Sequence, residues 1–221
     1  GHGWLNITGA IEKSCNFFFY TIGTRMDIDV LAKYAKYFGL GVKTGVELPS
    51  EVAGSVASRE TAEKNNHSWQ PGDMMSAVIG QSYNAFTPLQ MAKYISMVAN
   101  GGNKITPTIV ESVIRADGTE VPKEEVEQTI KAKLGITDDG KEDLTISQTS
   151  IDVVKEGMRS VTSDESGTAY SVFKNFPIEV GGKTGSAETE SGANNGKTNA
   201  WFAGFAPYDD PEIAVVVFVE N

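Results

Sequence analysis

The sequence has few of the residues that cross-link chains or hold metal ions. Its 221 residues include one cysteine, Cys15, and two histidines, His2 and His67, which are far apart. One cysteine excludes an internal disulfide, and the Cys and His spacings typical of zinc sites are absent. We therefore expect neither a bound metal nor a cofactor.

Long apolar runs and clusters of positive charge are also missing. The longest apolar run, Ile213 to Val219, is too short to span a bilayer and suits a buried strand. The 19 lysines and arginines are outnumbered by 29 aspartates and glutamates, which gives a net charge of −10. A charge of this sign repels phosphate backbones, so nucleic acid is not an expected partner.

Both ends of the sequence suggest a piece of a longer protein. The chain starts at Gly1 without methionine, shows no signal peptide, and stops at Asn221 directly after a predicted strand. We expect a fold that is incomplete at both ends, with any export signal or membrane anchor outside this sequence.

The pattern of apolar and polar residues predicts one α+β domain over residues 1–221. Apolar residues at helical spacing, together with capping residues, predict helices at residues 7–13, 17–25, 27–39, 87–101 and 147–161. Asp27 or Asp29 caps the third helix, and Ser147 or Thr149 caps the last. Strands are predicted near residues 178–189, 199–206 and 212–219, and their short connections favour antiparallel pairing. This order of helices and strands predicts a helical lobe and a sheet lobe with a cleft between them.

Three segments carry weaker signals. Residues 51–73 are polar and predicted to be irregular, while residues 105–121 alternate as a hairpin would, with a turn at Asp117-Gly118. The charged residues 115–146 are interpreted as an exposed insertion.

Ile178 to Glu188 has the composition of an anion-binding strand edge. A glycine pair allows close approach of another backbone, Lys183 supplies positive charge, and Thr184 and Ser186 supply hydroxyl donors. This combination predicts recognition of a carboxylate beside a reacting carbonyl.

Gly-Lys-Thr, which lies within this stretch, also occurs in phosphate-binding loops. Such a loop needs a glycine five positions before the glycine of Gly-Lys-Thr. For Gly182 that position is Pro177, and for the second occurrence, at Gly196, it is Ser191. Nucleotide binding is therefore rejected. A second Lys-Thr-Gly copy at Lys43 lacks the glycine pair and the strand context, so we interpret it as non-functional.

Ser14-Cys15-Asn16 lies between two predicted helices, and a Ser-x-Asn followed by Lys-Thr-Gly is part of the signature of serine acyl-enzymes. Gly-His-Gly precedes it, and Trp69-x-Pro-Gly-Asp, Ile79-Gly80-Gln81, Thr87-Pro88-Leu89-Gln90 and Lys183 to Glu188 follow in order. Together these motifs closely resemble the transpeptidase domain of class B penicillin-binding proteins. Cys15 stands where many relatives carry Asp, and Ser186 stands where Thr is common.

The resemblance implies a β-lactamase/transpeptidase-like fold, with an antiparallel sheet flanked by helices and a helical subdomain. It also implies D,D-transpeptidase activity that cross-links peptidoglycan stem peptides ending in D-alanyl-D-alanine, and acylation by β-lactam antibiotics. Implied partners are the cell-wall synthesis machinery and an N-terminal part that anchors the protein on the outer face of the cytoplasmic membrane. The alternatives are a β-lactam sensor or non-catalytic homologue and, after it, a D,D-carboxypeptidase or β-lactamase.

The resemblance also assigns roles. Ser14 relays a proton to the leaving amine, Asn16 holds the substrate amide, and Lys183 polarises the Ser14 region and attracts the substrate carboxylate. Thr184, Gly185 and Ser186 bind the substrate, and the Ser186 amide supplies half of the oxyanion hole. Taken alone, Ser14 and Asn16 could instead merely cap the adjoining helices.

The nucleophile is the main departure from the family pattern. Only Ser171-Val172-Phe173-Lys174 fits Ser-x-x-Lys, yet the family order puts this motif before Ser14. Pro177 also ends any helix there almost at once. We therefore expect the nucleophile upstream of Gly1 and predict that this chain alone is inactive.

Overall fold

The computed structural model describes residues 1–135, 144–188 and 197–220. Within these ranges the elements, in chain order, are α1 (Ile7–Glu12), α2 (Asn16–Gly23), α3 (Ile28–Tyr37), α4 (Arg59–Lys64), α5 (Asp73–Val78), α6 (Pro88–Ala99), α7 (Lys123–Leu134), α8 (Gln148–Ser163), α9 (Tyr170–Phe173), β1 (Gly181–Glu188), β2 (Thr198–Ala206) and β3 (Ile213–Val219). No helix of the described part is long and apolar enough to cross a membrane.

The three strands form one sheet in the order β1-β2-β3, and both neighbouring pairs are antiparallel. Lys183 lies opposite Ala203, which in turn lies opposite Val216. The predicted strands and their antiparallel pairing are therefore confirmed. Among the described strands β1 has a single neighbour, so one of its edges has no strand partner.

The main core lies where α1, α6 and α8 contribute apolar side chains beside the sheet. Ile11, Val98 and Val161 are buried with Ala203 and Phe205 of β2. Full burial of each such large side chain stabilises the fold by roughly 1.5–3 kcal/mol. This core holds the sheet against the helices that carry the rest of the site.

The glycine pair before Lys183 is required by packing. A Cβ atom on Gly181 would lie 2.5 Å from Cζ of Phe205, and one on Gly182 would lie 2.6 Å from Cζ of Phe202. Both distances are far below a normal contact, so aromatic rings of β2 occupy the space that side chains would need. The pair thus lets β1 approach β2 and fixes where Lys183 emerges.

The start of α6 is confirmed in detail. The Thr87 hydroxyl accepts a hydrogen bond from the Gln90 amide and the Gln90 side chain accepts one from the Thr87 amide, with Pro88 in the first turn. Gln90 is fully buried, and its Nε2 also donates to the carbonyls of Val42 (2.6 Å) and Ala53 (2.8 Å). One side chain therefore starts the helix and fastens two loops to it.

The break between α1 and α2 is confirmed as well. Ser14 has a φ of 49°, in the left-handed region that non-glycine residues rarely adopt, and the Cys15 amide donates to the Ala10 carbonyl at 2.9 Å. Cys15, which is buried, occupies the N-cap of α2 without a side-chain capping bond, and Lys13 is the C-cap of α1. Neither Ser14 nor Asn16 caps a helix with its side chain.

The prediction of an irregular segment at residues 51–73 was wrong in part. Ser58 caps α4 by accepting from the Thr61 amide, and Asp73 begins α5. Both helices have six residues, too short to show an apolar period, so the cap at Ser58 was the only sequence signal available.

The predicted hairpin at residues 105–121 was correct only near its turn. Gly118 has a φ of 84°, and the arms are joined there by the Arg115 amide donating to the Thr119 carbonyl, the Val121 amide donating to the Val113 carbonyl (both 2.8 Å) and an antiparallel bridge between Ile114 and Glu120, but no strand forms in this segment. Ile109 is 66% exposed, so its apolar alternation does not mark a buried face. The next element, α7, has no buried residue. An insertion over residues 115–146 stays a prediction, and residues 136–143 lie outside the described part.

Candidate active site

Lys183 and Ser14 meet where the edge of the sheet faces the turn between α1 and α2. Nζ of Lys183 donates to Oγ of Ser14 at 2.9 Å and to the carbonyl of Thr184 at 2.8 Å. The left-handed backbone of Ser14 turns its side chain out of the helical path, and Ser14 is exposed. Two of the three predicted catalytic residues are therefore in direct contact.

Burial lowers the pKa of Lys183 from its ordinary value of 10.5 to about 8. The cause is desolvation, which disfavours the charged ammonium form. At neutral pH the side chain is still mostly protonated, but it is much closer to losing its proton than an exposed lysine. Such a group can hold an anion and can also exchange a proton.

The free edge of β1 presents backbone groups beside this contact. Alternation along the strand puts Thr184 and Ser186 on the face opposite to Lys183 and Gly185. Nε2 of Gln81 donates to the Ser186 carbonyl at 3.4 Å, from a loop 105 residues away. Because the N–H and C=O of one strand residue share a side, the Ser186 amide is directed to the same edge. The role of this amide in an oxyanion hole stays a prediction.

The remaining predicted residues lie close by in the chain but take part less directly. Gly185 and Ser186 are exposed on β1. Asn16, the first residue of α2, is also exposed, so its amide is open to a ligand. Within the described ranges no hydrogen bond joins Asn16 to Lys183, so the structure shows a direct contact for Ser14 and Lys183 and none for Asn16.

Sequence reasoning missed two groups of residues at this site. Oγ1 of Thr168 lies 2.7 Å from Oγ1 of Thr184, and Ser166 is bonded to Lys13 and Glu12, just before Ser14. Thr168 and Ser166 lie in the loop between α8 and α9, which carries no recognisable motif. The Glu12-Lys13 pair next to Ser14 was the one available signal, because charged residues there adjoin a candidate site.

The second Lys-Thr-Gly copy already holds a carboxylate of its own chain. Glu51 accepts hydrogen bonds from the Thr44 amide (2.7 Å), the Thr44 hydroxyl (2.5 Å) and the Gly45 amide (3.2 Å). Lys93 donates to the Thr44 carbonyl at 3.1 Å. The donors of this loop are thus used to fix the fold, which supports its interpretation as non-functional.

Ser171 does not have the surroundings of an activated nucleophile. It lies in α9, a helix of four residues, and is exposed. In the part of the chain that the structure describes, it forms no hydrogen bond with Lys174, Ser14 or Lys183. No group of three His, Cys, Asp or Glu residues that could hold a metal ion occurs among the described residues either.

A helix-backed antiparallel sheet with a Lys-Thr-Gly edge against a Ser-x-Asn turn defines the class of penicillin-binding transpeptidase domains. Comparison with known proteins agrees: the family model for the penicillin binding protein transpeptidase domain matches residues 1–221, and the chain belongs to this family. The predicted family and fold class are confirmed.

Individual relatives are more specific. The peptidoglycan D,D-transpeptidase MrdA of Haemophilus influenzae is 32% identical over 233 residues, covering 100% of this chain and 34% of the relative. PBP2 of Pseudomonas aeruginosa, solved in complex with WCK 5153, superposes with a TM-score of 0.82 at 30% identity, covering 100% of this chain and 46% of that one. A complex of penicillin-binding protein PBP2 and MreC from Helicobacter pylori gives a TM-score of 0.77 at 28% identity, with coverages of 100% and 37%. The chain spans about a third of the length of its curated relatives.

Proposed function

We propose that this chain is part of a peptidoglycan D,D-transpeptidase that cross-links stem peptides ending in D-alanyl-D-alanine and is acylated by β-lactams. The observation that carries the proposal is the 2.9 Å contact between Lys183 Nζ and Ser14 Oγ beside the free edge of β1. It joins a proton-carrying hydroxyl to a cation whose pKa is lowered to about 8. Acyl transfer to and from an amine needs this combination, because protons must move with the reacting nitrogen.

Substrate binding is assigned to β1. The Lys183 ammonium attracts the terminal carboxylate of the peptide, and Thr184 and Ser186 donate to it from one face of the strand. The outer edge of β1 holds the peptide in an extended form, as when a strand is added to a sheet edge, and the Thr184 and Ser186 carbonyls there are shared with Lys183 and Gln81. Asn16 supports the substrate amide from the start of α2.

The proposed chemistry uses a serine from a segment of the same protein upstream of this chain. Its oxygen forms a bond to the penultimate D-alanine carbonyl carbon after giving its proton to the lysine three residues on. The C–N bond to the terminal D-alanine then breaks, and Ser14 relays the proton taken up by that lysine to the leaving amine. The amine of a second stem peptide then forms a C–N bond to the acyl carbon, the ester C–O bond breaks and the amine's proton returns to the serine oxygen, so one difficult transfer is divided into two easier steps.

The Ser186 amide stabilises the oxyanion formed in both steps. One such donor contributes about 3 kcal/mol to acyl-transfer catalysis. The other donor belongs to the upstream serine, so this chain by itself is proposed to be inactive.

The cellular setting is proposed from the relatives. The Helicobacter pylori relative was solved as a complex with MreC, and another structural neighbour belongs to a peptidoglycan synthase complex. We propose that the complete protein works with such a cell-wall assembly on the outer face of the cytoplasmic membrane. The anchor would lie in a part of the protein outside this chain.

Labelling with fluorescent penicillin tests the proposal. The complete protein should form a covalent adduct at a serine upstream of Gly1, whereas the 221-residue chain alone should form none. The complete protein should also release D-alanine and join two stem peptides. An adduct on the isolated chain, for instance at Ser171, would contradict the assignment, and labelling without any cross-linked product would favour a β-lactam sensor.

A further inference from the structure

The loop between α8 and α9 contacts both halves of the candidate site. Thr168 lies in this loop, and its Oγ1 is 2.7 Å from Oγ1 of Thr184 on β1, sixteen positions further along the chain. Thr168 is exposed and Thr184 is half-buried. The hydroxyl pair is therefore accessible to a ligand bound along β1.

The loop is held rigidly from the helix side. The Ala169 amide donates to the Val161 carbonyl at 2.9 Å, and the Gly167 amide donates to the Asp164 carbonyl at 2.8 Å. A side chain at Gly167 would collide with the carbonyl oxygens of Ser160 and Val161. Thr168 therefore sits between a position that accepts only glycine and Ala169, which is 4% exposed.

Ser166 fastens the same loop to the residues just before Ser14. Nζ of Lys13 donates to Ser166 Oγ at 2.5 Å and to Glu12 Oε1 at 2.8 Å, and Ser166 Oγ donates to the same Glu12 oxygen. Burial alone would raise the pKa of Glu12, but the hydrogen bonds from Lys13 and Ser166 outweigh it and hold this pKa below its ordinary value. The hydrogen-bonded cluster of Glu12, Lys13 and Ser166 thus fixes the loop against the turn that contains Ser14.

A hydroxyl has one proton to donate and two lone pairs that accept. If Thr184 donates to Thr168, its proton is not available to a ligand. If Thr168 donates to Thr184, the proton of Thr184 is free, and its bond to an anion is strengthened because hydrogen bonds in a chain polarise one another. In either arrangement one of the two hydroxyl protons is used within the pair and the other can reach a ligand. Which hydroxyl offers that proton depends on whether Thr168 donates or accepts.

We propose that Thr168 is a positioning residue for the substrate carboxylate: it donates to Thr184 and thereby aims the Thr184 hydroxyl, together with Ser186, at that group. The inference rests on the proposed function and adds a residue from outside β1 to the carboxylate subsite. It predicts that Thr168 matters for ligands that carry a carboxylate and not for neutral ones.

The test compares penicillin G with its methyl ester, in which the carboxylate is masked. In the complete protein, Thr168→Val should lower the acylation rate constant for penicillin G by about fivefold through weaker initial binding, with less than about twofold change for the ester. Thr168→Ser, which keeps the hydroxyl, should restore the penicillin rate. A second, independent comparison measures how well D-alanyl-D-alanine peptides protect the protein from penicillin labelling when their C-terminal end is a free carboxylate or is amidated.

Thr129→Val is the matched control, because Thr129 is exposed on α7, a helix without buried residues. It should leave both rates unchanged, and thermal unfolding of each variant checks the fold. Equal losses for acid and ester in Thr168→Val, or no loss at all, would overturn the inference while the proposed function stands. Absence of labelling in the unsubstituted complete protein would overturn the proposed function and this inference with it.

Discussion

Nζ of Lys183 donates a 2.9 Å hydrogen bond to Oγ of Ser14, a residue 169 positions earlier in the chain. The bond joins the edge of the sheet to the turn between α1 and α2, two parts that fold from distant segments. The cation and the hydroxyl can be removed separately, so each proposed role can be measured on its own.

The two Lys-Thr-Gly copies should differ sharply. In the complete protein, Lys183→Ala should lower penicillin labelling by about a hundredfold or more, because it removes both the anion-attracting charge and the bond to Ser14. Lys43→Ala should leave labelling within about twofold, since Lys43 is exposed in a loop whose donors bind Glu51. Equal losses in the two variants would show that the assignment of the working copy is wrong.

The lowered pKa of Lys183 predicts a pH dependence. The side chain is charged below about pH 8 and neutral above it. Acylation by a carboxylate-bearing β-lactam should therefore fall as the pH rises through about 8. Lys183→Arg, which stays charged, should lose this fall in whatever activity it keeps. A wild-type rate that is flat from neutral pH to well above pH 8 would contradict the prediction.

The same pKa bears on stability. Between about pH 8 and 10.5 the unfolded chain holds a proton on Lys183 that the folded chain has lost. The contribution of Lys183 to the free energy of unfolding should therefore increase with pH across this window. Urea unfolding at several pH values should show that Lys183→Met lacks this contribution, whereas Lys174→Met, a change at an exposed position, keeps it. Parallel profiles for Lys183→Met and the unsubstituted chain would contradict the burial of this lysine.

The backbone of Ser14 allows its structural and chemical roles to be separated. With a φ of 49°, Ser14 occupies a conformation that glycine adopts without strain. Ser14→Gly should leave the free energy of unfolding within about 1 kcal/mol of the original value. It should nevertheless lower cross-linking as strongly as Ser14→Ala, because both variants lack the hydroxyl. Full activity in Ser14→Gly would show that the hydroxyl does not carry the proton.

Glu51 should matter for stability and not for chemistry. Glu51→Gln replaces one carboxylate oxygen by an NH2 donor, which then faces either the Thr44 or the Gly45 amide, and it removes the negative charge that strengthens the remaining bonds, so the free energy of unfolding should fall by about 2 kcal/mol. Penicillin labelling of the folded variant should be unchanged. Glu63→Gln, at an exposed position of α4, is the matched control and should change neither quantity. Loss of labelling in Glu51→Gln without loss of stability would assign this loop a direct role.

Local signals in the sequence predicted the start of α6 correctly, because Thr87, Pro88 and Gln90 all act within one turn of helix. The same logic could not reveal that Gln90 also binds the carbonyls of Val42 and Ala53, which lie 48 and 37 positions away. Short-range chemistry is encoded in neighbouring residues, whereas such loop anchoring depends on how the finished fold brings distant segments together.

The candidate site shows the same division. The motifs around Ser14 and Lys183 were recognisable as residue types at family spacing, and the structure brings these two side chains together. Thr168 has no motif, because its relation to Thr184 exists only once the loop after α8 has packed beside β1. The predicted hairpin before α7 forms only near its turn for a related reason: alternation indicates a longer strand only where one face becomes buried, and Ile109 remains exposed.

Glu51 also changes what a free peptide encounters on this protein. The acid lies six and seven positions after the residues that it binds, so it competes for the Thr44 and Gly45 donors as a tethered group. A short tether gives an effective concentration on the order of millimolar or above. Dissolved peptide carboxylates at micromolar concentration would rarely displace it. The Lys-Thr-Gly loop at Lys43 is therefore already filled by a neighbouring acid of the same chain and should not compete with the proposed carboxylate site on β1.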